Sequence, residues 1–380
     1  MFIRVPFFFA VAPAYNNCMS QHPDVLILGG GVIGLTVAYS LARENIRVEI
    51  VDRDDFGQEA SWAGAGIIPP GNPASARTPF DRLRALSSEA FPALSRELRE
   101  RTGIDNGYLR CGGLVIPEDH EDADDQEWRG EGIRCEELTA SEVRLLEPNL
   151  AAGSGRALHL PDTAQLRNPR HVKALVAGCA SLGVRLRPGC PAVGLVCGDQ
   201  VTGVTTIEGR LTAGHYVIAS GAWSDSLLGQ VGWRPGIRPV RGQIALLNTG
   251  APLIRRVLMH GKRYVVPRPD GRVLVGATEE DVGFDKRTTA AAIRDLLDFA
   301  ISLVPGLADA PLERSWAGLR PGSPDGLPFL GRVPGVANLF VAAGHFRAGI
   351  QLSPGTATLM TELILGRPPT IPLDAFRLDR

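Results

Sequence analysis

The chain has 380 residues, which is long for a single hydrophobic core and predicts two domains. Its formal net charge of −1 predicts neither a nucleic-acid partner nor binding to an anionic membrane surface. No apolar run reaches the roughly 18 residues that a membrane-spanning helix needs. The six cysteines form no C-x-x-C pair and no Cys/His group with zinc spacing, so we expect reduced thiols in a cytoplasmic protein and no metal site.

Residues 1–22 are interpreted as an N-terminal extension. The apolar run Phe7-Phe8-Phe9 suits a short signal peptide, but Pro6 and Pro13 interrupt the apolar stretch around it. Met19 lies just before the first predicted strand. These features favour a mis-assigned start or a disordered extension, with secretion as the alternative.

The first half of the chain begins with a βαβ unit, because a buried strand, a helix with apolar periodicity and a second buried strand follow one another. The predicted elements, in order, are a strand at Asp24–Leu28, a helix at Val32–Glu44, a strand at Val48–Asp52, a helix at Pro79–Arg101, an acidic surface loop at Asp119–Glu131, and helices at Thr139–Leu146 and Val172–Leu182.

The second half is richer in strands, and turn signals separate them. The predicted elements are a strand at Val184–Leu186, a meander of Val193–Val196, Val201–Ile207 and Leu211–Thr212, strands at Tyr216–Ala219, Gln243–Leu247, Tyr264–Val266 and Val273–Val275, a helix at Thr289–Val304, a strand at Leu339–Ala342 and a helix at Thr356–Leu365.

The turn after the first strand has the form G-x-G-x-x-G, from Gly29 to Gly34. Gly29 permits a tight turn, Gly31 permits close approach to a pyrophosphate, and Gly34 permits close packing of helix and strand. Asp52 ends the second strand, where it can accept hydrogen bonds from both ribose hydroxyls and disfavours a 2′-phosphate. The motif therefore predicts a dinucleotide site but does not separate NAD from FAD, and its alternative is a tight turn that binds nothing.

Several segments carry a resemblance to one family. The W-A-G-L-R-P and G-H-F-R segments are the most specific, and they occur in the order and at the spacing found in that family. Together they resemble the D-amino-acid oxidase and glycine oxidase family of FAD-dependent amine oxidases, and within it the glycine oxidases of thiamine biosynthesis. The matching segments are Gly29–Thr36, Ser61–Ile68, Trp316–Pro321 and Gly344–Ile350, with further likeness at Ala219–Ser224 and Val275–Thr278.

The resemblance implies an α/β fold of two discontinuous domains. A Rossmann-type FAD-binding domain would comprise residues 23–85, 160–230 and 320–380. A substrate-binding domain built on an antiparallel sheet would comprise residues 86–159 and 231–319.

The resemblance also implies which residues hold a non-covalent FAD. These residues contact four parts of the site: the ribose end, the pyrophosphate, the adenine side and the segment that covers the ring. The implied residues are Gly29, Gly31, Val32, Ile33, Gly34, Asp52, Arg53, Ala60, Ser61, Ala65, Gly66, Ile67, Val193, His345, Phe346, Arg347, Ala348, Gly349, Ile350 and Gln351.

The substrate is implied to be a small amino acid, with glycine first and sarcosine or small D-amino acids after it. Arg320 matches the family's carboxylate-binding arginine, and a guanidinium suits a carboxylate bidentately. Tyr264 and Arg347 match residues that lie near the same substrate. The implied reaction oxidises the amine, reduces O₂ to hydrogen peroxide and needs no dedicated catalytic base. The family further implies a homo-oligomer and a thiazole synthase that takes the product.

Three positions depart from the family pattern or limit it. Ala348 replaces an asparagine that many relatives have near the flavin. Glu279 replaces a methionine that one relative has beside the substrate, so a reshaped pocket or a cationic substrate becomes an alternative to strict glycine preference. No cysteine follows Cys197, which excludes a C-terminal cysteinyl link to the flavin.

Alternatives remain open at this stage. One is a sarcosine or D-amino-acid oxidase, and another is a quinone-linked D-amino-acid dehydrogenase. A third, from a different class, is a flavin- or NAD-binding protein without catalysis.

Overall fold

The computed structural model describes residues 22–117, 126–152 and 155–380. The predicted extension lies outside these ranges apart from His22, and so do residues 119–125 of the predicted acidic loop. The described end of that loop corrects the prediction, because Gln126–Gly130 forms a short helix.

The bounds of α1, α3 and α8 and of the first two strands agree closely with the predicted elements. In the described ranges the α-helices are α1 Val32–Arg43, α2 Ala60–Ala63, α3 Pro79–Thr102, α4 Gln126–Gly130, α5 Ala140–Leu146, α6 Asn168–Ser181, α7 Ser224–Leu228, α8 Ala290–Leu303 and α9 Gly349–Ile364. The strands are β1 Val25–Leu28, β2 Val48–Val51, β3 Ile67–Ile68, β4 Leu109–Arg110, β5 Gly113–Val115, β6 Glu136–Leu138, β7 Ala157–Leu160, β8 Ala164–Gln165, β9 Arg185–Arg187, β10 Ala192–Cys197, β11 Val201–Thr206, β12 Gly209–Leu211, β13 His215–Ile218, β14 Arg238–Asn248, β15 Val257–His260, β16 Arg263–Pro267, β17 Arg272–Gly276, β18 Leu312–Gly322, β19 Phe329–Arg332 and β20 Leu339–Ala343.

A six-stranded sheet has the order β19-β20-β13-β1-β2-β9, and its strands are parallel except for β19. β1 and β2 are fully buried, as expected of central strands with both faces covered. From β1 the chain continues to β2 on one side, whereas β13 lies on the other side. The strand order therefore reverses beside β1, and the carboxyl ends of these strands form the crevice where such sheets bind ligands.

An eight-stranded sheet has the order β18-β14-β17-β16-β15-β5-β7-β6 and is antiparallel apart from the β15–β5 pair. The β14–β18 pair is long, with Val240 opposite Arg320 and Gly242 opposite Gly318. The apolar residues of α8, including Leu296, pack with one face of this sheet in a common core. Two smaller three-stranded sheets consist of β10-β11-β12 and β3-β8-β4.

Several elements differ from the sequence prediction, which gives no strand for β3 to β8, β15, β18 or β19 and no helix for α2 or α7. β18 covers Leu312–Gly322, where no strand is predicted, because glycine and proline interrupt the alternation. α9 begins at Gly349, whereas the predicted helix begins at Thr356. The prediction starts late because Pro354 and Gly355 break the helical pattern in the sequence. Gly355 is needed there, since a Cβ would lie 2.6 Å from Ser87 Oγ on α3. The close contact of α3 with α9 thus explains a glycine that looks unfavourable for a helix.

The domain boundaries remain predictions, and two of them cut through single elements. The 85/86 boundary falls inside α3, and the 319/320 boundary falls inside β18. Leu83, Phe91 and Leu98 span most of α3 and share one core with α1 and α9. We therefore propose that the first boundary follows Thr102. Within the described ranges, no helix combines the length and the apolar character needed to cross a membrane.

Candidate functional site

The turn between β1 and α1 owes two of its glycines to contacts within the protein. Gly29 has φ +115°, and a Cβ on it would lie 2.5 Å from the carbonyl oxygen of Ala219. A Cβ on Gly34 would lie 2.0 Å from the carbonyl oxygen of Gly29. Gly31 is different, since a Cβ there would meet only Ser61 Oγ, at 3.2 Å. The backbone at Gly31 is therefore bare toward the crevice, as close approach of a pyrophosphate requires.

The N-terminus of α1 has the properties of an anion site. Gly31 is its N-cap residue and has no side chain with which to cap the helix, and its first turn has no acidic residue. Ser61 Oγ accepts a hydrogen bond from the Val32 N–H, at 2.9 Å. The positive end of the helix therefore faces the crevice, and its own first turn places no acidic residue there.

Asp52 lies at the predicted ribose end, where β2 ends. Its Oδ2 accepts a hydrogen bond from the Gly30 N–H at 2.6 Å, and its Oδ1 accepts one from the Asp54 N–H at 3.1 Å. Burial raises the pKa of Asp52, and these backbone hydrogen bonds oppose the rise. Each oxygen keeps a second lone pair for a ligand hydroxyl. The next residue, Arg53, lies over the ring of Trp223, with its Cζ 3.7 Å from the ring centroid.

Val193, the predicted contact of the adenine side, is presented by a β-bulge. The register of β10 against β11 shifts between Ala192 and Gly194, so Val193 has no partner residue in the ladder. It is 56% exposed and lines the crevice. The carbonyl oxygen of Val193 accepts a hydrogen bond from Gln230 Nε2 at 3.5 Å, and the contact of the Val193 backbone with the adenine side stays a prediction.

The loop from Ala60 to Ile67 is fixed to the rest of the protein by Arg268, which the sequence did not single out. The buried Arg268 donates hydrogen bonds to the carbonyl oxygens of Ala65 at 2.7 Å and Leu166 at 2.9 Å, and to Gln165 Oε1 at 2.6 Å. Burial lowers the pKa of Arg268 to about 10. A single guanidinium therefore joins the loop to the small β3-β8-β4 sheet and to the turn after β16.

The crevice is a cavity of about 700 Å³ that runs from the bulge at Val193 to Arg320. Gly34 and Ala348 do not line it, whereas the other predicted cofactor and substrate residues do. Those lining residues are Gly29, Gly31, Val32, Ile33, Asp52, Arg53, Ala60, Ser61, Ala65, Gly66, Ile67, Val193, Tyr264, Arg320, His345, Phe346, Arg347, Gly349, Ile350 and Gln351.

His345 begins the segment that covers the cavity and continues into α9. Its side chain is buried, and its Nε2 forms a hydrogen bond with Thr356 Oγ1 at 3.0 Å. Burial lowers the pKa of His345 to about 3, so the imidazole is neutral at ordinary pH. Gly349 starts α9, which has no side-chain cap, so a second helix N-terminus faces the cavity.

Arg320 and Tyr264 lie side by side at the inner end of the cavity. Arg320 Nη1 donates a hydrogen bond to the carbonyl oxygen of Thr278 at 3.0 Å, which holds the guanidinium in place. Burial raises the pKa of Tyr264, and the charge of Arg320 opposes the rise. Burial also lowers the pKa of Arg320. A cation and a neutral hydroxyl donor thus converge on one spot, which suits a carboxylate.

Two glycines make room for this pair, and sequence reasoning missed both. A Cβ on Gly242 of β14 would lie 2.2 Å from Nη2 of Arg320, so the guanidinium occupies the space of the absent side chain. A Cβ on Gly276 of β17 would lie 2.8 Å from the hydroxyl oxygen of Tyr264. Gly242 is distant in sequence from Arg320, and Gly276 lies opposite Tyr264 on the neighbouring strand, so strand pairing and not a local motif identifies both positions.

Arg347, the third predicted substrate residue, lines the cavity but forms an ion pair with Glu279. Lys262 Nζ lies 3.5 Å from the other carboxylate oxygen of Glu279. Glu279, which departs from the family pattern, is therefore paired with two cations. Among the residues that the structure describes, no group of three or more His, Cys, Asp or Glu side chains is arranged to hold a metal ion.

The cavity fits FAD by its own features. It has a bare backbone at Gly31 and the N-terminus of α1 for the pyrophosphate, and the carboxylate of Asp52 lies at its ribose end. The model of the FAD dependent oxidoreductase family, DAO, matches residues 24–363. The chain belongs to this family, FAD is its cofactor, and it is an oxidoreductase. The predicted α/β fold with a Rossmann-type FAD-binding domain is thereby confirmed.

Within the family, the chain is similar to glycine oxidases. It is 37% identical over 369 residues to a glycine oxidase of Geobacillus kaustophilus, covering 95% of this chain and 98% of the relative. The crystal structure of a glycine oxidase from the same species superimposes with a TM-score of 0.89, at 36% identity and covering 94% and 99% of the two chains. The predicted resemblance to glycine oxidases is thus confirmed.

Two other relatives differ in their names. The bifunctional protein ThiO/ThiG of Trichormus variabilis is 35% identical over 371 residues, covering 94% of this chain and 55% of that longer protein. The crystal structure of an iminodiacetate oxidase from Chelativorans sp. BNC1 is 30% identical, with a TM-score of 0.81 and coverage of 93% and 98%.

Proposed function

We propose that the protein oxidises the amine of glycine, and of other small amino acids such as sarcosine, with O₂ as the final electron acceptor. The products are hydrogen peroxide and an imino acid, which water hydrolyses to glyoxylate and ammonia in the case of glycine. The observation that carries the proposal is the placement of Arg320 beside Tyr264 at the inner end of the FAD cavity. A protein that binds a flavin without catalysis has no need for such a carboxylate site.

The residues at this site bind and orient the substrate. Arg320 pairs with the carboxylate, and Tyr264 donates a hydrogen bond from a hydroxyl that its raised pKa keeps protonated. Glycine and sarcosine are short, so fixing the carboxylate also fixes the Cα–H bond relative to the ring. FAD, when bound, would supply the acceptor for the hydride from Cα and the route of its electrons to O₂.

No side chain is required to remove a proton in this scheme, because the substrate binds with a neutral amine. The buried imidazole of His345 forms a hydrogen bond with Thr356 Oγ1, and its lowered pKa makes it a weak base. The protein contributes orientation and the exclusion of water.

We also propose that a thiazole synthase takes the imino acid for thiamine biosynthesis. The support is that a close relative is named as a bifunctional ThiO/ThiG protein. A homo-oligomeric state, a non-covalent FAD and a cytoplasmic location are further predictions that accompany this proposal.

A panel of substrates with peroxide detection tests the function. The purified protein should be yellow, and glycine and sarcosine should both reduce the flavin under nitrogen and yield peroxide in air. Flavin reduction by D-proline without peroxide would favour a quinone-linked dehydrogenase instead. A protein that binds FAD but is reduced by none of these amines would overturn the proposal.

A further inference from the structure

The substrate end of the cavity has an excess of positive charge. Its charged lining residues, among the residues that the structure describes, are Lys262, Arg263, Arg320 and Arg347, and all of them are cations. Arg263 is directed elsewhere, since its Cζ lies 4.6 Å from the centroid of the Phe299 ring. An amino acid that binds with a neutral amine supplies one carboxylate, which Arg320 accepts. Arg347 and Lys262 then remain for a second anionic group.

Glu279 supplies that second carboxylate from the protein itself. Its Oε2 pairs with Arg347, and its Oε1 lies 3.5 Å from Lys262 Nζ, so each oxygen takes one cation. The side chain of Glu279 is 30% exposed and that of Lys262 is 72% exposed, which places the bridge at the solvent side of the cavity. A free dicarboxylic substrate would need the same two cations.

We propose that Glu279 is a specificity-determining residue that acts as a built-in second carboxylate and disfavours dicarboxylic amines such as iminodiacetate. Its removal frees Arg347 and Lys262 as a subsite for the distal carboxylate of such an amine. Specificity is a difference of affinities, and a repulsive carboxylate at the subsite lowers the affinity for the dicarboxylate alone. This inference rests on the proposed function, because it concerns the same substrate site.

The size of the effect follows from the partial exposure of the bridge. Hydrogen bonds to charged groups are stronger than exposed ion pairs, and this partly exposed bridge falls between the two. We therefore expect the preference for a dicarboxylic over a monocarboxylic amine to change about tenfold, which corresponds to roughly 1.4 kcal/mol.

The experiment compares Glu279→Gln with the wild-type chain. The ratio of kcat/KM for iminodiacetate to kcat/KM for sarcosine should rise about tenfold in this variant. Asp281→Asn is the matched control, since Asp281 is 68% exposed and its nearest cationic partner, Arg238, lies 3.8 Å away. The control should leave the ratio unchanged. Adding Lys262→Gln to Glu279→Gln should cancel part of the gain, because one of the two released cations is lost.

A second measurement does not depend on turnover. Methoxyacetate and oxydiacetate have the shapes of sarcosine and iminodiacetate without an amine, and their binding is followed by the absorbance of the bound flavin. The affinity for oxydiacetate relative to methoxyacetate should rise about tenfold in Glu279→Gln. An unchanged ratio, or a wild-type chain that already prefers the dicarboxylates, overturns the inference. If no amine is turned over, the proposed function fails, whereas this titration still decides the role of Glu279.

Discussion

Replacing Gly242 by alanine is a test of the carboxylate site that removes no polar group. The new Cβ would lie 2.2 Å from Nη2, 2.4 Å from Nη1 and 2.4 Å from Cζ of Arg320. The φ of Gly242 is outside the left-handed region, so alanine is compatible with the backbone of β14. The three nearest atoms all belong to Arg320, and the substitution therefore acts on the guanidinium.

The expected loss follows from the distance that the guanidinium must move. An ordinary contact of a Cβ is about 3.4–4 Å, so the guanidinium has to retreat by about 1 Å. A displacement of about 1 Å at a reacting site costs up to about 10²-fold in rate. One charge-assisted hydrogen bond lost from the carboxylate costs about 1.5–3 kcal/mol, or roughly 10–150-fold. We therefore expect the KM for glycine to rise about 10–100-fold while FAD remains bound.

The assay combines steady-state peroxide formation with the absorbance ratio of flavin to protein. Gly194→Ala is the control, because Gly194 also lies in a strand and a Cβ there would meet its nearest neighbours at 3.7 Å. The KM of the control should not change. Combining Gly242→Ala with Arg320→Lys should cost less than the sum of the single changes, since both act on the same guanidinium.

An unchanged KM in a folded, FAD-loaded Gly242→Ala variant would refute this reasoning. It would mean either that Arg320 does not bind the substrate carboxylate or that its guanidinium is not held against Gly242. Loss of FAD together with activity would show that the substitution disturbs the whole cavity.

Three further outcomes are expected. Arg320→Ala should raise the KM about 10–100-fold with FAD still bound, and loss of FAD instead would contradict its assignment to the substrate. Asp52→Ala should weaken FAD binding, measured by fluorescence titration, and should spare turnover when FAD is in excess. Burial lowers the pKa of His171 to about 4 and that of His345 to about 3, so the free energy of unfolding should fall as pH drops below about 6.5, where the unfolded chain binds more protons. Urea unfolding between about pH 7.5 and 5 measures this decline, which should be less steep in His171→Gln.

Sequence alone predicts the parts of the site that depend on local pattern. The glycines at Gly29 and Gly34 have contacts close by in the β1–α1 turn or at the end of β13, and a strand, turn and helix in series reveal them. Asp52 ends the next strand of the same unit, so its place beside the turn follows from the βαβ geometry. Gly34 and Asp52 follow from short-range chain geometry, whereas Gly29 was predicted from the motif although its contact with Ala219 is long-range.

The positions that sequence missed depend on contacts between distant segments. Gly242 and Gly276 are recognisable only once Arg320 and Tyr264 are seen against them. Glu279 was expected to reshape the pocket or to favour a cationic substrate. Its pairing with two cations could not be predicted, because it depends on how three loops meet. Residue type and local spacing do not contain that information.

The guanidinium of Arg268 has a consequence for how the cofactor enters and leaves. It joins the loop around Ala65 to Leu166 and to the turn after β16, so the loop cannot peel away while those segments stay in place. A cofactor that left past this loop would have to break the hydrogen bonds of Arg268 to Ala65, Leu166 and Gln165 together. Exchange of this kind has a high barrier. Once loaded, the protein should therefore retain its flavin for kinetic reasons, even through dilution far below the equilibrium dissociation constant.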